Sequence, residues 1–462
     1  MKRTVFLFLL STCMLQTFGQ WKPAGDKIKT LWAEKIDVKN VLPEYPRPIM
    51  ERADWMNLNG LWDYSILKAG AAEPTAFNGQ ILVPFPVESS LSGVMKPVGE
   101  GNEVWYKRTF EIPAKWKGKN VMLNFGAVDW KADVWVNDVK IGSHTGGYTP
   151  FSFDVTPFLN KVGAQKLVVR VWDGSDRGFQ PRGKQVSKPE GIWYTPVTGI
   201  WQTVWLEPVA AKRIENIQTV PNIDKSQVAV SVQTKGATYG DVVEVKLFDG
   251  TKEITSAKAT SGEKIELAVP SAKLWSPESP FLYTMKVSVI SNGVVTDQVN
   301  SYFAMRKVST KRDKNGIVRL ELNNKAYFQF GPLDQGWWPD GLYTAPTDEA
   351  LKYDIQKTKD FGFNMIRKHV KVEPARWYTH CDQLGILVWQ DMPSGDRSPQ
   401  WQNHNYFSGT EMKRSAESEA NYRKEWKEIM DYLYSNPCIV TWVPFNEALG
   451  QFKTAEIVEW TK

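Results

Sequence analysis

Seven residues in the last third of the chain carry reactive or hydrogen-bonding side chains at or just beyond the ends of apolar runs. They are Asp334, Trp337, Arg367, His369, Asp391, Asn446 and Glu447. Short apolar runs are typical of strand bodies, and carboxyl, amide, imidazole and guanidinium groups at their ends can transfer protons and bind a polar ligand. A purely structural sheet has no need of such groups there. We therefore take these residues as the candidate site.

The elements that would position them alternate between strand and helix from about Lys325 onward. The predicted strands are 327–330, 363–367, 386–390 and 439–445, and the predicted helices are 347–360, 373–384 and 420–435. This alternation favours a parallel sheet or a (β/α)8 barrel, whose functional groups lie at the carboxyl ends of the strands. A complete barrel takes about 250 residues. The 138 residues from Lys325 to Lys462 therefore predict only the first four strands.

Two all-β stretches precede this region. From about Trp55 to Pro208, short runs of Val, Ile, Trp, Tyr and Phe alternate with polar residues between turn-forming residues, which predicts a β-sandwich. Within it, residues 133–142 predict a hairpin whose turn is Asn137-Asp138. Residues 213–302 have the strand spacing of a small immunoglobulin-like sandwich. The second stretch carries no visible chemistry, so we expect it to act as a spacer.

Composition excludes several classes of function. The net charge of +6 is spread over 462 residues without a basic block, so nucleic-acid binding is not expected. No interior stretch approaches the ~20 apolar residues of a membrane helix. The three cysteines form neither a disulfide framework nor a zinc signature, and no metal or other cofactor is expected. Residues 1–20 predict a secretory signal peptide and hence a secreted or periplasmic protein, with a lipoprotein anchor at Cys13 as the less favoured alternative.

Three motifs resemble glycoside hydrolase family 2 in the order that the family has them. They are FGFNMIRKH at 361–369, CDQLGILVWQD at 381–391 and TWVPFNE at 441–447. The resemblance implies a jelly-roll domain of the sugar-binding type at 21–210, an immunoglobulin-like β-sandwich at 211–306, and a (β/α)8 TIM barrel from 307 that is truncated after its fourth strand. It covers nearly the whole chain after the signal peptide, as an amino-terminal portion of the family architecture.

The resemblance also implies roles for individual residues. Glu447 would be the general acid/base of a retaining mechanism, and Asn446 would hydrogen-bond the sugar 2-hydroxyl. Arg367 would brace the catalytic carboxylates by charge-assisted hydrogen bonds, although a structural ion pair is the competing interpretation. The nucleophile would come from a seventh strand beyond Lys462, so we expect the chain by itself to be inactive.

The other candidates stay open at this stage. His369 could contact substrate or support a neighbour, because several family members carry their histidine three residues after the arginine instead of two. Asp391 could bind a sugar hydroxyl or hold Arg367. Asp334 and Trp337 lie in a loop expected over the barrel mouth, where they could contact sugar, but the loop could instead bury its tryptophans against the sandwiches.

These inferences together predict a retaining, exo-acting β-glycoside hydrolase of the β-galactosidase type. Its partner would be a β-linked oligosaccharide or glycoside, and its oligomeric state is not predicted. The stretch Trp389-Gln390-Asp391 resembles β-mannosidases, and β-glucuronidases share the architecture, so the sugar stays open. The alternative is a non-catalytic carbohydrate-binding protein whose half-barrel serves only as a scaffold.

Overall fold

The computed structural model describes residues 21–397, 411–446 and 450–462. The predicted signal peptide with Cys13, and the predicted acid/base Glu447, lie outside these described residues. Among the described residues, no helix combines the length and the apolar character that crossing a membrane requires.

The first unit is a β-sandwich built from twelve strands of the described chain. They are β1 (Met56–Asn57), β2 (Gly60–Lys68), β3 (Gly79–Val83), β4 (Asn102–Phe110), β5 (Asn120–Phe125), β6 (Val128–Asp129), β7 (Lys131–Val136), β8 (Val139–Thr145), β9 (Phe151–Asp154), β10 (Gln165–Trp172), β11 (Gly199–Ile200) and β12 (Val204–Val209). A six-stranded sheet has the order β3-β2-β4-β10-β7-β8, a four-stranded sheet has the order β1-β12-β5-β9, and β11 pairs with β6. Apolar side chains of the two larger sheets form one core. Short 3-10 helices lie at Leu31–Lys35, Pro48–Met50, Ala114–Trp116, Thr156–Phe158 and Ser175–Arg177.

The predicted hairpin of this unit is confirmed. Val134 and Val136 on β7 are fully buried, because alternate residues of a strand point to the same face. Asn137 and Asp138 have φ values of 48° and 67°, the left-handed pair that a tight two-residue hairpin turn requires.

The second unit is another antiparallel sandwich. Its strands are β13 (Arg213–Asn222), β14 (Gln227–Lys235), β15 (Val242–Asp249), β16 (Lys252–Thr260), β17 (Ile265–Ala268), β18 (Tyr283–Ser291) and β19 (Val294–Phe303). They form sheets of order β13-β14-β17 and β16-β15-β18-β19 around a separate apolar core. Trp275 is fully buried and donates from Nε1 to the carbonyl of Asp382 at 2.8 Å, which ties this unit to the region that follows.

A small antiparallel sheet then precedes the parallel region. It consists of β20 (Val308–Arg312), β21 (Val318–Leu322) and β22 (Lys325–Ala326). Residues 308–326 therefore contribute no strand–helix unit, although they fall in the stretch expected to belong to the barrel.

Strand and helix alternate from Leu333 onward. The elements are β23 (Leu333–Asp334), α1 (Asp348–Asp360), β24 (Met365–Lys368), α2 (Ala375–Leu384), β25 (Leu387–Asp391), α3 (Ala416–Leu433), β26 (Ile439–Val443) and α4 (Thr454–Thr461). The four strands pair in parallel in the order β23-β24-β25-β26. The predicted alternation and parallel pairing are confirmed.

The predicted start of the first helix, at residue 347, is also confirmed. The side chain of Thr347 accepts a hydrogen bond from the amide of Ala350 at 3.1 Å, so α1 begins where its capping sequence indicated. The last predicted strand, 439–445, is shorter in the structure: β26 ends at Val443, since Pro444 has no amide hydrogen to donate to the ladder.

The predicted strand at 327–330 is wrong. The paired residues of the first parallel strand are Leu333–Asp334, and the chain from Tyr327 to Pro332 is irregular. Phe328 and Phe330 are 82% and 54% exposed. Their apolar character suggested a buried strand, but they lie at the edge of the sheet, where no neighbouring strand of the described chain covers them.

Candidate active site

The carboxyl ends of β24, β25 and β26 bring Arg367, Asp391 and Asn446 together. Arg367 donates from Nε to Asp391 Oδ1 at 3.0 Å and from Nη2 to Asp391 Oδ2 at 2.9 Å. The same Nη2 donates to Asn446 Oδ1 at 3.0 Å. The parallel register explains the meeting: Arg367 pairs with Trp389, and Asp391, two residues further, points to the same face of the sheet.

His369 also belongs to this group, through a contact with Asp391. Its Nδ1 lies 3.0 Å from Asp391 Oδ2, and its side chain is only 3% exposed. Asp391 itself is fully buried and contacts Arg367 and His369 through its two oxygens. Of the two roles left open for Asp391, these contacts favour holding Arg367. For His369 they favour support of a neighbour.

Arg367 is the most exposed charged member of the group. Its side chain retains 26% of its accessible surface, whereas Asp391 retains none. Asn446 is buried and immediately precedes Glu447, which lies outside the described residues. The Arg367 guanidinium and the Asn446 side-chain amide are therefore held in place by hydrogen bonds. Glu447 is the next residue along the chain.

Asp334 lies apart from this group. It pairs in register with Lys368, and Lys368 Nζ donates to Asp334 Oδ2 at 2.6 Å. Lys368 follows Arg367 directly and so points to the opposite face of the sheet, toward the helices, where its ammonium lies 4.3 Å from the centre of the Trp377 ring on α2. The structure thus places Asp334 in an ion pair on the helix side.

That ion pair extends into a buried network. Lys368 Nζ also donates to Glu373 Oε1 at 2.8 Å, and Lys371 Nζ lies 2.9 Å from the same oxygen. Both lysines and Glu373 are almost fully buried. Because burial disfavours its charged form and Lys368 is close, the pKa of Lys371 falls to about 8. Burial alone would raise the pKa of Asp334, but the charge of Lys368 and its hydrogen bond hold it below its ordinary value.

The network anchors the loop that carries Trp337. Lys371 Nζ donates to the carbonyls of Gly336 at 2.6 Å and Tyr343 at 2.9 Å, the two ends of that loop. Gly336 has φ of 65°, and a β-carbon there would lie 2.3 Å from Glu373 Oε1, so only glycine fits.

The two tryptophans of the loop pack against residues that precede the parallel region. Trp337 stacks on Tyr194 with ring centres 4.7 Å apart and planes 13° apart. Trp338 is buried and meets Trp32 edge to face at 6.1 Å. The described contacts of Trp337 are those of a packed loop, and sugar contact by Asp334 and Trp337 stays a prediction.

Sequence reasoning missed Lys368, Lys371 and Glu373 as a unit. The signal was present, since Arg367 to Glu373 contains five ionisable residues in seven positions after an apolar strand. Their partners could not be read from the sequence, because Asp334 is 34 residues from Lys368. Among the described ranges, no three His, Cys, Asp or Glu side chains are grouped so that they could hold a metal ion.

Two family models match the chain. Residues 55–206 match the model described as "Glycosyl hydrolases family 2, sugar binding domain", and residues 212–306 match "Glycosyl hydrolases family 2". These ranges coincide closely with the two β-sandwiches.

Individual proteins show the same similarity. A Formosa agariphila protein provisionally named a β-glucuronidase is 30% identical over 64% of the chain, and a Thermoanaerobacter pseudethanolicus β-galactosidase is 26% identical over 75%. The matched regions span only 28% and 45% of those two relatives. The solved β-D-glucuronidase of Dictyoglomus thermophilum superposes with a TM-score of 0.72 at 19% identity, covering 90% of this chain and 71% of that one. Because the similarity includes the parallel region, the fold is shared beyond the sandwiches.

Proposed function

The chain belongs to glycoside hydrolase family 2, and from that premise we propose that this protein is a retaining, exo-acting β-glycosidase. The observation that carries the proposal is the group formed by Arg367, Asp391 and Asn446 at the carboxyl edge of the parallel sheet. Pairing with the buried Asp391 accounts for part of the Arg367 guanidinium, but the same guanidinium also holds Asn446, the residue before Glu447, and stays partly exposed. It fits a site in which charge must be held beside a reacting carboxylic acid.

Each residue has a role in the proposed reaction. Glu447 protonates the leaving oxygen of the glycoside and later removes a proton from the attacking water. Asn446 hydrogen-bonds the sugar 2-hydroxyl, a contact that strengthens as positive charge develops at the anomeric carbon. Arg367 keeps the surrounding carboxylates oriented, and Asp391 with His369 fixes Arg367.

The four strand–helix units are proposed to form part of a (β/α)8 barrel with this group at its mouth. A retaining mechanism needs a second carboxylate about 5 to 5.5 Å from the acid. Asp391 is an unsuitable nucleophile because it is fully buried beneath Arg367 and His369. The prediction that the nucleophile comes from a later strand therefore stands as part of the proposal. The protein is also proposed to be exported through residues 1–20.

The sugar is proposed to be a terminal β-galactoside or β-glucuronide. The sequence motifs led to the galactoside, but relatives of comparable similarity are named for either activity, and the glucuronide is at least as well supported. The described contacts around Arg367 do not separate the two, since its guanidinium is engaged by Asp391 and Asn446.

The test uses the protein expressed from its full reading frame, with 4-nitrophenyl β-galactoside, 4-nitrophenyl β-glucuronide and an unactivated disaccharide of the preferred sugar. Glu447→Gln should lower turnover of the disaccharide by about 10²- to 10⁴-fold, and that of the nitrophenyl glycoside less, because a good leaving group needs little protonation. Proton NMR should show the β-anomer as the first product.

The matched control is Glu459→Gln, an exposed residue of α4 paired with Lys462, which should leave both rates unchanged. Equal losses on both substrates would remove Glu447 from the acid role. An α-anomer as the first product would rule out retention. Saccharide binding without hydrolysis of any substrate would favour the non-catalytic alternative.

A further inference from the structure

Two side chains at or near the start of α3 contact the chain on both sides of Glu447. Residues 444–452, the β26 loop, follow that strand and include Glu447, which lies outside the described residues. Arg414, two residues before α3, contacts the part of the loop that follows Glu447 in the sequence. Tyr422, a residue of α3, contacts the parts that precede and follow it.

Arg414 joins three parts of the fold through its guanidinium. Nε and Nη2 donate to the carbonyl of Gly450 in the β26 loop, at 3.0 and 2.8 Å. In the loop after β25, the carbonyl of Gly395 accepts from Nη1 at 2.8 Å and the hydroxyl of Ser394 accepts from Nη2 at 3.0 Å. Nη1 also donates to the hydroxyl of Ser418 on α3 at 3.2 Å. All five N–H donors of the guanidinium are therefore used.

Aromatic rings restrict the Arg414 guanidinium further. It lies 5.2 Å from the centre of the Tyr422 ring and 4.7 Å from that of Phe452, at distances where an aromatic face attracts a cation. Burial lowers the pKa of Arg414 to about 10, so the guanidinium stays charged at neutral pH. Gly450 has φ of 78°, and a β-carbon there would lie 2.8 Å from Nη2, so a larger residue would displace the guanidinium.

Tyr422 holds the β26 loop from both sides of Glu447. Its hydroxyl donates to the carbonyl of Pro444, and its ring stacks on Phe445 with centres 5.2 Å apart and planes 19° apart. Beyond Glu447 in the sequence, Phe452 meets the same ring edge to face at 5.1 Å. Tyr422 and Phe452 are both buried. The two ends of the loop are therefore packed on one side chain of α3.

A fixed position matters most for a residue that transfers a proton, because a misplacement of about 1 Å can cost about 10²-fold in rate. The pairing of β26 with β25 ends at Val443, four residues before Glu447, so the strand ladder alone does not fix the acid. We propose, on the basis of the proposed function, that Arg414 and Tyr422 are positioning residues. They hold the β26 loop so that Glu447 can protonate the leaving oxygen.

The test is a leaving-group series, measured with the protein expressed from its full reading frame. The substrates are aryl β-glycosides of the preferred sugar, from phenyl to 2,4-dinitrophenyl, and kcat/KM is determined for each. Arg414→Met should lower kcat/KM about ten- to hundredfold for the phenyl glycoside and less than about threefold for the dinitrophenyl glycoside, because only the poor leaving group needs a well-placed acid. Arg414→Lys should recover part of the loss, since one ammonium cannot replace five forked donors.

Tyr422→Phe decides the matter if Arg414→Met does not fold. It removes one hydrogen bond to the β26 loop and keeps the ring, so the phenyl glycoside should lose about two- to tenfold and the dinitrophenyl glycoside less. The matched control is Lys427→Met, at an exposed residue of α3 that pairs with Asp431, which should leave the whole series unchanged.

A second measurement does not depend on activity. Deuterium uptake by the backbone amides of residues 445–452 should rise in Arg414→Met and Tyr422→Phe and stay at the wild-type level in Lys427→Met. The inference is overturned if uptake in Arg414→Met and Tyr422→Phe equals that of the wild type. It is also overturned if they lower kcat/KM by the same factor for every leaving group, as a side chain that only stabilised the fold would do.

Failure of the proposed function has a different signature. Either the wild type would hydrolyse none of the series, or Glu447→Gln would leave the dependence on the leaving group unchanged. Uptake by residues 445–452 would then still decide whether Arg414 and Tyr422 hold the loop.

Discussion

Replacing Arg367 should impair catalysis far more than substrate binding. Arg367 makes three hydrogen bonds of 2.9 to 3.0 Å, two to Asp391 and one to Asn446. Hydrogen bonds to charged groups contribute about 1.5–3 kcal/mol each. The contributions of the three hydrogen bonds are not additive, and the Arg367 side chain is 26% exposed. We therefore expect Arg367→Ala to lose on the order of 3 kcal/mol of transition-state stabilisation, which corresponds to about a hundredfold lower kcat.

The reason for expecting the effect on kcat lies in the geometry. Arg367 holds Asn446, and Asn446 immediately precedes Glu447, so the variant should misplace the acid relative to the anomeric centre. A displacement near 1 Å can cost about 10²-fold. KM should change little, because Arg367 is engaged by protein groups and not by distant sugar units.

The assay is steady-state hydrolysis of the preferred 4-nitrophenyl glycoside by the protein from its full reading frame. Arg367→Lys keeps the charge, but one ammonium cannot reproduce the forked contacts to Asp391 and Asn446, so it should recover only part of the loss. Added guanidinium ion should partly rescue Arg367→Ala. Arg319→Ala, at an exposed residue of β21 paired with Asp313, is the matched control. A kcat for Arg367→Ala within twofold of the wild type, with only the melting temperature lowered, would assign Arg367 to a structural ion pair and refute the reasoning.

Two further predictions concern buried charged or ionisable groups outside the Arg367 group. Burial raises the pKa of Glu425 on α3 from 4.5 to about 7, so its contribution to stability is fully present below about pH 4.5 and is lost as pH rises through 7, by on the order of 3 kcal/mol. In urea unfolding, the free energy of unfolding of Glu425→Gln should fall less between pH 5 and 8 than that of the wild type or of Glu428→Gln. A fall equal to that of the wild type would contradict this prediction. Lys371→Met removes the donor shared by the carbonyls of Gly336 and Tyr343. Deuterium uptake by the backbone amides from Gly336 to Tyr343 should therefore rise. Uptake equal to that of the wild type would show that the loop does not depend on Lys371.

Local features of the sequence were sufficient to predict the secondary structure of most of the chain. The period of apolar residues distinguishes strand from helix, and single residues fix the boundaries: Asn137-Asp138 forms the predicted turn and Thr347 caps the predicted helix. These signals act over a few residues. The strand predicted at 327–330 is wrong because an apolar run does not reveal whether another strand will cover it.

The composition of the site could be predicted in part for the same reason. Strand ends are visible in sequence, and parallel strands place their ends at one edge, which predicted that Arg367, Asp391 and Asn446 lie close together. The sequence left open whether Asp391 binds sugar or holds Arg367. Only the three contacts to its buried carboxylate favour the second role.

Only the tertiary structure showed which of the predicted site residues lie apart from Arg367, Asp391 and Asn446. Asp334 was grouped with the others because it also follows a predicted strand, but its register opposite Lys368 directs it to the helix side. Trp337 stacks on Tyr194, which belongs to a segment more than a hundred residues earlier. Register and long-range stacking depend on the whole chain being folded at once, because the free energy of each contact depends on what else is buried beside it. The residue types at Asp334 and Trp337 permit sugar binding, but the tertiary structure determines which partners they meet.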